Sequence, residues 1–413
     1  MGDSTFLTRV LLENYKSIAR CDVTLGPLTF LVGPNGSGKS NFLDALRFVA
    51  DALRTALDHA IRDRGGFKEV RRRSRTHHPT HFGIRLEFTL PSGQRGFYSF
   101  RIGARREAGY EVQREECLIT TLKALEPDAH YHVDHGKVVS TSVLVAPKAS
   151  ADRLYLVNAS GLPEFREVFE LLSNMGFYNL NPDEIRDLQP PDVGEILSRD
   201  GDNIASVLGQ LTAHNPRAKG RIEEYLGKVV SGIQTVDARS IGSKETLEFR
   251  QQIAGSKQPW RFLASSMSDG TLRAVGVLVA LFQSSNGERD RERKGARVPL
   301  VGIEEPEVAL HPAAAGVLLE ALIDASHHTQ ILVTSHSPEL LDDHRILPDS
   351  ILAVVANGGI TSIAPLDEVG RSALRDRLYT PGELLKLNQL SPDPAVLDRI
   401  SSSQMNLFKK SLP

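Results

Sequence analysis

Residues Leu28-Thr29-Phe30-Leu31-Val32-Gly33-Pro34-Asn35-Gly36-Ser37-Gly38-Lys39-Ser40 form an apolar run that ends in a glycine loop, and Phe42, Leu46, Val49 and Leu53 follow at helical spacing. The order is strand, loop, helix. Within it Gly33-x-x-x-x-Gly38-Lys39-Ser40 matches a phosphate loop, in which glycines let backbone N–H groups curl around phosphate oxygens and the helix N-terminus adds partial positive charge. Asn35, Gly36, Ser37, Gly38, Lys39, Ser40 and Asn41 are therefore the candidate nucleotide-binding residues. Lys39 is expected to reach the β and γ phosphates, and the Ser40 hydroxyl to ligate Mg²⁺. An ordinary glycine turn is the plain alternative; the strand before the loop and the amphipathic helix after it argue against that.

The surrounding 413 residues are enough for two or three domains, or for one large domain carrying an insertion. Hydrophobic residues at 40% and charged residues at 24% exclude a mainly disordered or collagen-like chain. Lys+Arg 49 against Asp+Glu 51 leaves a formal charge of -2, so no overall basic excess marks a nucleic-acid binder, although a local patch remains compatible. Two cysteines, Cys21 and Cys117, are too few for a disulfide framework. The N-terminus lacks the pattern of a secretion signal, and the apolar stretch Ala274 to Phe282 is far shorter than the ~20 residues of a bilayer span. A cytoplasmic protein with no membrane partner is expected.

From His81 to Ile119 the pattern alternates with period two, with turn signals at Pro91-Ser92-Gly93, Gly103 and Gly109, and predicts an antiparallel meander. Residues 150 to 235 read as helical and irregular, with helices near Glu164 to Leu172, Asn203 to Leu211 and Arg221 to Val230 and breaks at Asn181-Pro182 and Pro190-Pro191. An almost wholly apolar helix, Leu272 to Phe282, precedes a charged loop from Glu288 to Arg297. Then come a strand at Val298 to Ile303, a helix near Ala313 to Ala325 and a strand at Ile331 to Val333. Such alternation implies a mostly parallel, covered sheet. The expected organisation is a lobe over 1–149 with phosphate loop and meander, a mainly helical insertion over 150–235, a second lobe over 236–365 and a helical tail over 366–413.

Three further elements carry chemistry. Leu300-Val301-Gly302-Ile303-Glu304-Glu305-Pro306-Glu307 is an apolar strand that delivers carboxylates at its C-terminal end, where open α/β sheets bind ligands. Glu304 suits the Mg²⁺ shell and Glu305 the polarisation of an attacking water, because phosphoryl transfer needs positioning and charge neutralisation more than covalent help. Ile331-Leu332-Val333-Thr334-Ser335-His336-Ser337 presents a histidine at another strand end. Ser266-Met267-Ser268-Asp269-Gly270-Thr271-Leu272-Arg273 is a polar turn feeding the apolar helix, whose N-terminus can meet an anion; its plain reading is Ser268 as an N-cap.

In this order the four elements resemble the ABC-type ATPase heads of the SMC, RecF and OLD-like group. The phosphate loop is at Gly33 to Ser40, the signature at Ser268-Asp269-Gly270, the Walker B strand at Leu300 to Glu305 and the switch histidine at His336. The opening Leu12-Glu13-Asn14-Tyr15-Lys16-Ser17-Ile18 is similar to the group's first strand and turn. Glu304-Glu305-Pro306-Glu307-x-x-Leu310-His311-Pro312 and Thr334-Ser335-His336-Ser337-Pro338 look like the stand-alone AAA-type ATPases related to RecF and OLD. The resemblance implies an α/β fold: a P-loop ATPase head with a mixed sheet, an antiparallel β lobe and a compact helical insertion. It implies ATP and Mg²⁺ as cofactors and a homodimeric sandwich, since one copy of each motif makes two sites only in a dimer. In that sandwich Glu305 is the general base and His336 senses the γ-phosphate. Ser268 and Gly270 act on the partner's nucleotide, and Lys16 lies near the site.

Departures narrow the reading. Asp269 stands where transporter heads have glycine, and neither Gln94 nor Gln113 makes a convincing Q-loop. No long coiled coil is present. The tail after His336 has no D-x-D and is too short for an OLD-type nuclease domain; Asp393 between two prolines reads as a loop residue. His130, His132 and Asp134 share one strand face but read as a solvated edge strand ending in the turn Asp134-His135-Gly136-Lys137. Arg71-Arg72-Arg73-Ser74-Arg75 reads as a solvated loop, with phosphate-backbone or acidic-partner contact as the alternative. The expected function is an ATP-hydrolysing enzyme whose nucleotide-gated dimerisation signals to DNA or a separately encoded effector, in DNA repair or anti-phage defence. A non-hydrolysing scaffold that holds a nuclease or toxin is the alternative.

Overall fold

The computed structural model describes residues 4–74, 79–105, 109–121, 128–284, 298–402 and 405–408; the charged loop at 288–297 and Arg75 lie outside them. In chain order the first strands are β1 (Leu7–Tyr15), β2 (Ile18–Thr24), β3 (Leu28–Val32), β4 (His81–Thr89), β5 (Arg95–Ala104), β6 (Tyr110–Ile119), β7 (Ala129–Asp134) and β8 (Lys137–Thr141). They are followed by β9 (Gly176–Tyr178), β10 (Ile233–Ile241), β11 (Lys244–Gln251), β12 (Trp260–Leu263), β13 (Leu300–Glu304), β14 (Gln330–Ser335), β15 (Ile351–Asn357) and β16 (Ile360–Pro365). The chain forms two compact units. Residues 150–235 are shared out between them, with the break at Met175/Gly176.

One unit comprises Thr5–Met175, Leu347–Leu378 and Leu387–Pro413. Its sheet runs β8-β7-β6-β5-β4-β1-β2-β16-β15-β3, antiparallel from β8 to β2 and parallel where β16 meets β2 and β15 meets β3. The period-two pattern from His81 onward is the meander β4-β5-β6, extended by the β7–β8 hairpin. Helix Lys39–Arg54 buries Phe42, Leu46, Val49 and Leu53. Phe48 from the same helix packs edge-on against Phe82 (5.4 Å) and Tyr15 (6.1 Å), joining phosphate-loop helix and meander in one aromatic core.

Glu115 on β6 is a charge-capable group inside that lobe. It accepts hydrogen bonds from Tyr98 Oη (3.1 Å), Tyr131 Oη (2.9 Å) and the backbone N–H groups of Tyr155 (2.5 Å) and Leu156 (2.8 Å), tying helix Tyr155–Ala159 to the sheet. Burial outweighs these four donors and pushes its carboxyl up from 4.5 to about 7. A carboxyl raised in the folded state binds more protons folded than unfolded, so its stabilisation is full below the unfolded value and fades as pH rises through 7. Glu115→Gln is therefore expected to remove about 2 kcal/mol of stability difference between pH 5 and pH 7.5. Urea unfolding at the two pH values checks this; parallel pH profiles in wild type and variant would count against it.

The other unit comprises Met1–Ser4, Gly176–Ile346 and Tyr379–Lys386. Here β14, β13 and β9 lie parallel, so that Glu304 at the end of β13 sits in register with Thr334 of β14. Strands β10-β11-β12 make a small antiparallel sheet. Helix Asp269–Phe282 is buried from Thr271 to Phe282, which explains its all-round apolar sequence. Helices Pro216–Val229 and Ala315–Ser326 pack near it, and Phe282 stacks on Tyr225 at 5.7 Å. Among the described residues no helix is long and apolar enough to cross a membrane.

Candidate functional site

The phosphate loop belongs to the first unit. Lys39 is nearly buried, and its Nζ donates to the carbonyls of Gly33 (2.8 Å) and Pro34 (3.1 Å), so the ammonium closes the loop on itself. A chain of hydroxyls braces the loop from outside. Asn41 Nδ2 donates to Ser17 Oγ (2.6 Å), Ser17 Oγ shares a hydrogen bond with Thr361 Oγ1 (2.7 Å), and Thr361 Oγ1 donates to the Ser37 carbonyl (2.8 Å). Gly38 has φ +102, and a Cβ there would stand 2.1 Å from Thr361 Oγ1. The second glycine of the motif is thus required twice over, by the left-handed backbone and by Thr361. Ser40, Asn35 and Gly36 are accessible at the loop, and Ser37 is buried.

Lys16 pairs with Asp44 on the loop helix at 2.5 Å, and Arg64 (3.0 Å) and Arg47 (2.7 Å) complete the cluster around that carboxylate. Burial alone would raise the Asp44 carboxyl, but Arg64, Lys16 and Arg47 together hold it below the usual range. Lys16 therefore anchors the β1–β2 turn to the loop helix in this structure. Asn14 and Lys16 both take left-handed conformations, φ 55 and 45, on either side of Tyr15, whose hydroxyl donates to Asp44 at 2.9 Å.

The acidic group belongs to the second unit. β13 ends at Glu304, and Glu305 turns into the left-handed region at φ 45 while its N–H donates to the Thr334 carbonyl at 3.0 Å. That turn brings Glu305 Oε1 within 3.0 Å of His336 Nδ1. Ser335 donates to Glu307 Oε1 at 2.6 Å; burial raises the Glu307 carboxyl, with the Glu305 charge adding to it and Ser335 opposing it. Glu304 is paired with Arg199 at 3.4 Å. Arg273, which the sequence reading passed over, donates to the carbonyls of Leu180 (2.8 Å), Glu304 (3.3 Å) and Glu305 (3.2 Å). Its only sequence signal was a charged residue inside an apolar helix.

Ser268 caps that helix in the ordinary way: its Oγ accepts from the Thr271 N–H at 3.3 Å. A Cβ on Gly270 would lie 2.5 Å from the Ala309 carbonyl, so close packing within the chain also calls for glycine there. Asp269 pairs with Arg186. The Ser40 hydroxyl in the first unit and the Glu304 carboxylate in the second are each hard oxygen donors, a donor chemistry of the kind Mg²⁺ prefers. Among the described residues no group of three or more His, Cys, Asp or Glu side chains is arranged to hold a metal, the β7 histidines included.

Residues 28–342 match the family model described as AAA domain, putative AbiEii toxin, Type IV TA system. The chain belongs to this family. Among curated proteins, it is 42% identical over 73 residues to chromosome condensation protein dpy-27 of Caenorhabditis elegans, covering 16% of this chain and 5% of that one. It is 44% identical over 41 residues to DNA replication and repair protein RecF of Vibrio vulnificus, covering 10% of this chain and 11% of RecF. With chromosome partition protein Smc of Halothermothrix orenii it shares 49% identity over 47 residues, 11% of this chain and 4% of Smc. The matches thus span only a small part of those relatives' lengths. Among solved structures, an Smc head bound to the C-terminal winged-helix domain of ScpA superposes with TM-score 0.56 at 12% identity, covering 88% of this chain and 99% of the head. The Smc head with extended coiled coil bound to the C-terminal domain of ScpA from Pyrococcus furiosus gives TM-score 0.54 at 11% identity, covering 90% and 99%. The fold of this family member is that of an ABC-type, SMC- and RecF-like ATPase head, with a mixed sheet and a separate small antiparallel sheet.

Proposed function

We propose that the chain binds Mg²⁺·ATP through residues Asn35 to Asn41 and hydrolyses it in a homodimer, passing the change in dimerisation to DNA or to a partner effector protein. The observation that carries the reading is the Glu305–His336 contact of 3.0 Å at the ends of adjacent parallel strands. Left-handed non-glycine residues cost energy and gather at functional sites, and here one of them sets a carboxylate against an imidazole. In the reading, Glu305 Oε accepts the proton of the attacking water, and His336 orients that carboxylate and meets the γ-phosphate. Lys39 exchanges the Gly33 and Pro34 carbonyls for phosphate oxygens. Ser40 and Glu304, the latter freed from Arg199, would hold Mg²⁺, which would supply charge neutralisation to the bound phosphates.

The dimer is the part that Ser268 tests. If Ser268 and the Gly270 backbone meet the nucleotide of the opposite subunit, Ser268→Arg leaves ATP binding near wild type and blocks hydrolysis. Mixing it with Lys39→Ala then restores one composite site per heterodimer, so up to half the wild-type rate per mixed dimer. If Ser268 acts only as an N-cap, Ser268→Ala and Ser268→Arg each cost about 1 kcal/mol of stability. No activity then returns on mixing, and the sandwich is wrong. The names of the relatives, in DNA repair, chromosome partition and a toxin system, support DNA or an effector as the output. A pull-down from native cells, read for DNA and for a stoichiometric protein, separates the two.

A further inference from the structure

Arg273 lies inside the helix that Ser268 caps, and the residue is only 9% exposed. A guanidinium in such a place is ordinarily paired with a carboxylate. Here the carboxylates of Glu307, Glu305 and Glu304 act on it through space, while its hydrogen bonds go to main-chain carbonyls: Leu180, Glu304 and Glu305. Nε is buried without a partner, so the fork is aimed by the two Nη groups alone. Two of the three carbonyls belong to the peptide planes on either side of the Glu305 Cα, the planes whose orientation sets its left-handed conformation. One turn earlier the same helix meets the same loop again, with Gly270 against the Ala309 carbonyl and Ala309 itself left-handed at φ 65. The helix therefore grips the segment after β13 at two points.

We propose that Arg273 is a positioning residue for Glu305: from within the Ser268 helix it fixes the backbone that aims the Glu305 carboxylate at His336. The inference rests on the reading of Glu305 as the base.

The test uses Arg273→Met and Arg273→Lys in the full chain. Arg273→Met is expected to lower kcat about 100-fold with KM changed less than threefold, and Arg273→Lys, which can still reach a carbonyl, to recover about tenfold of that. Independently of ATP, the ring Cε1–H resonance of His336, assigned through His336→Gln, should move in Arg273→Met toward its position in Glu305→Gln. A folded Arg273→Met with kcat within threefold of wild type, or an unmoved His336 resonance, overturns the proposal. Should Arg273→Met fail to fold, Arg273→Lys decides by the same two readings. If wild type hydrolyses no ATP the functional reading fails, and the His336 resonance still decides whether Arg273 positions Glu305.

Discussion

Lys39→Ala is expected to abolish detectable Mg²⁺·ATP binding, weakening it at least 100-fold, while the chain stays folded. Lys39 Nζ is held by the Gly33 and Pro34 carbonyls and its side chain is almost buried, so its charge is already out of bulk water before a phosphate arrives. In such surroundings a charge-assisted hydrogen bond to a phosphate oxygen is worth roughly twice a neutral one, and no neighbouring side chain of the loop supplies a second cation. Two neutral carbonyls lose a donor in the variant, a cost of about 1 kcal/mol each that leaves the unit folded. Titration calorimetry reads the affinity and circular dichroism the fold. Affinity within threefold of wild type in a folded variant would remove the loop from the mechanism.

Glu305→Gln is the second large effect. The amide keeps the shape of the side chain and can still face His336, but it cannot accept the water's proton, so kcat is expected to fall by about 10²–10⁴. Affinity for ATP should change less than threefold, because the phosphate contacts come from the loop. Nucleotide that is bound but not hydrolysed should hold the dimer, giving a species of twice the monomer mass by light scattering in Mg²⁺·ATP. Glu304→Gln should behave differently, shifting the Mg²⁺ concentration needed for binding. Equal phosphate release by wild type and Glu305→Gln would take Glu305 out of the chemistry.

The two effects differ in how far they could be anticipated. The segment around Lys39 was legible because it is local: Lys39 lies six positions after Gly33, and the glycine spacing marks a strand, loop and helix there, whereas the donation of its ammonium to the Gly33 and Pro34 carbonyls shows only in the structure. Glu305 and His336 were legible as types at strand ends, but their contact depends on the pairing of β13 with β14 and on a left-handed turn that nothing in Ile303-Glu304-Glu305-Pro306 demands. Lys16, placed near the nucleotide by resemblance, is paired with Asp44 on the phosphate-loop helix, a contact that no spacing in the sequence announces, since three basic side chains from different segments converge on that one buried carboxylate.

What the sequence by itself determined is what short range controls: the strand, loop and helix of residues 28–54, the alternating strands from His81 to Ile119, and the apolar helix after Ser268. Hydrophobic period and glycine spacing act within one element, so they are written where they operate. Tertiary structure alone decided which distant groups meet. Thr361 braces Ser37 across 324 positions, Glu115 holds the start of a helix forty residues on, and Arg273 grips the carbonyls of Glu304 and Glu305. Each of these is a polar group removed from water whose partner is chosen by chain topology, because a buried donor or acceptor takes whichever complement the fold brings within hydrogen-bond reach.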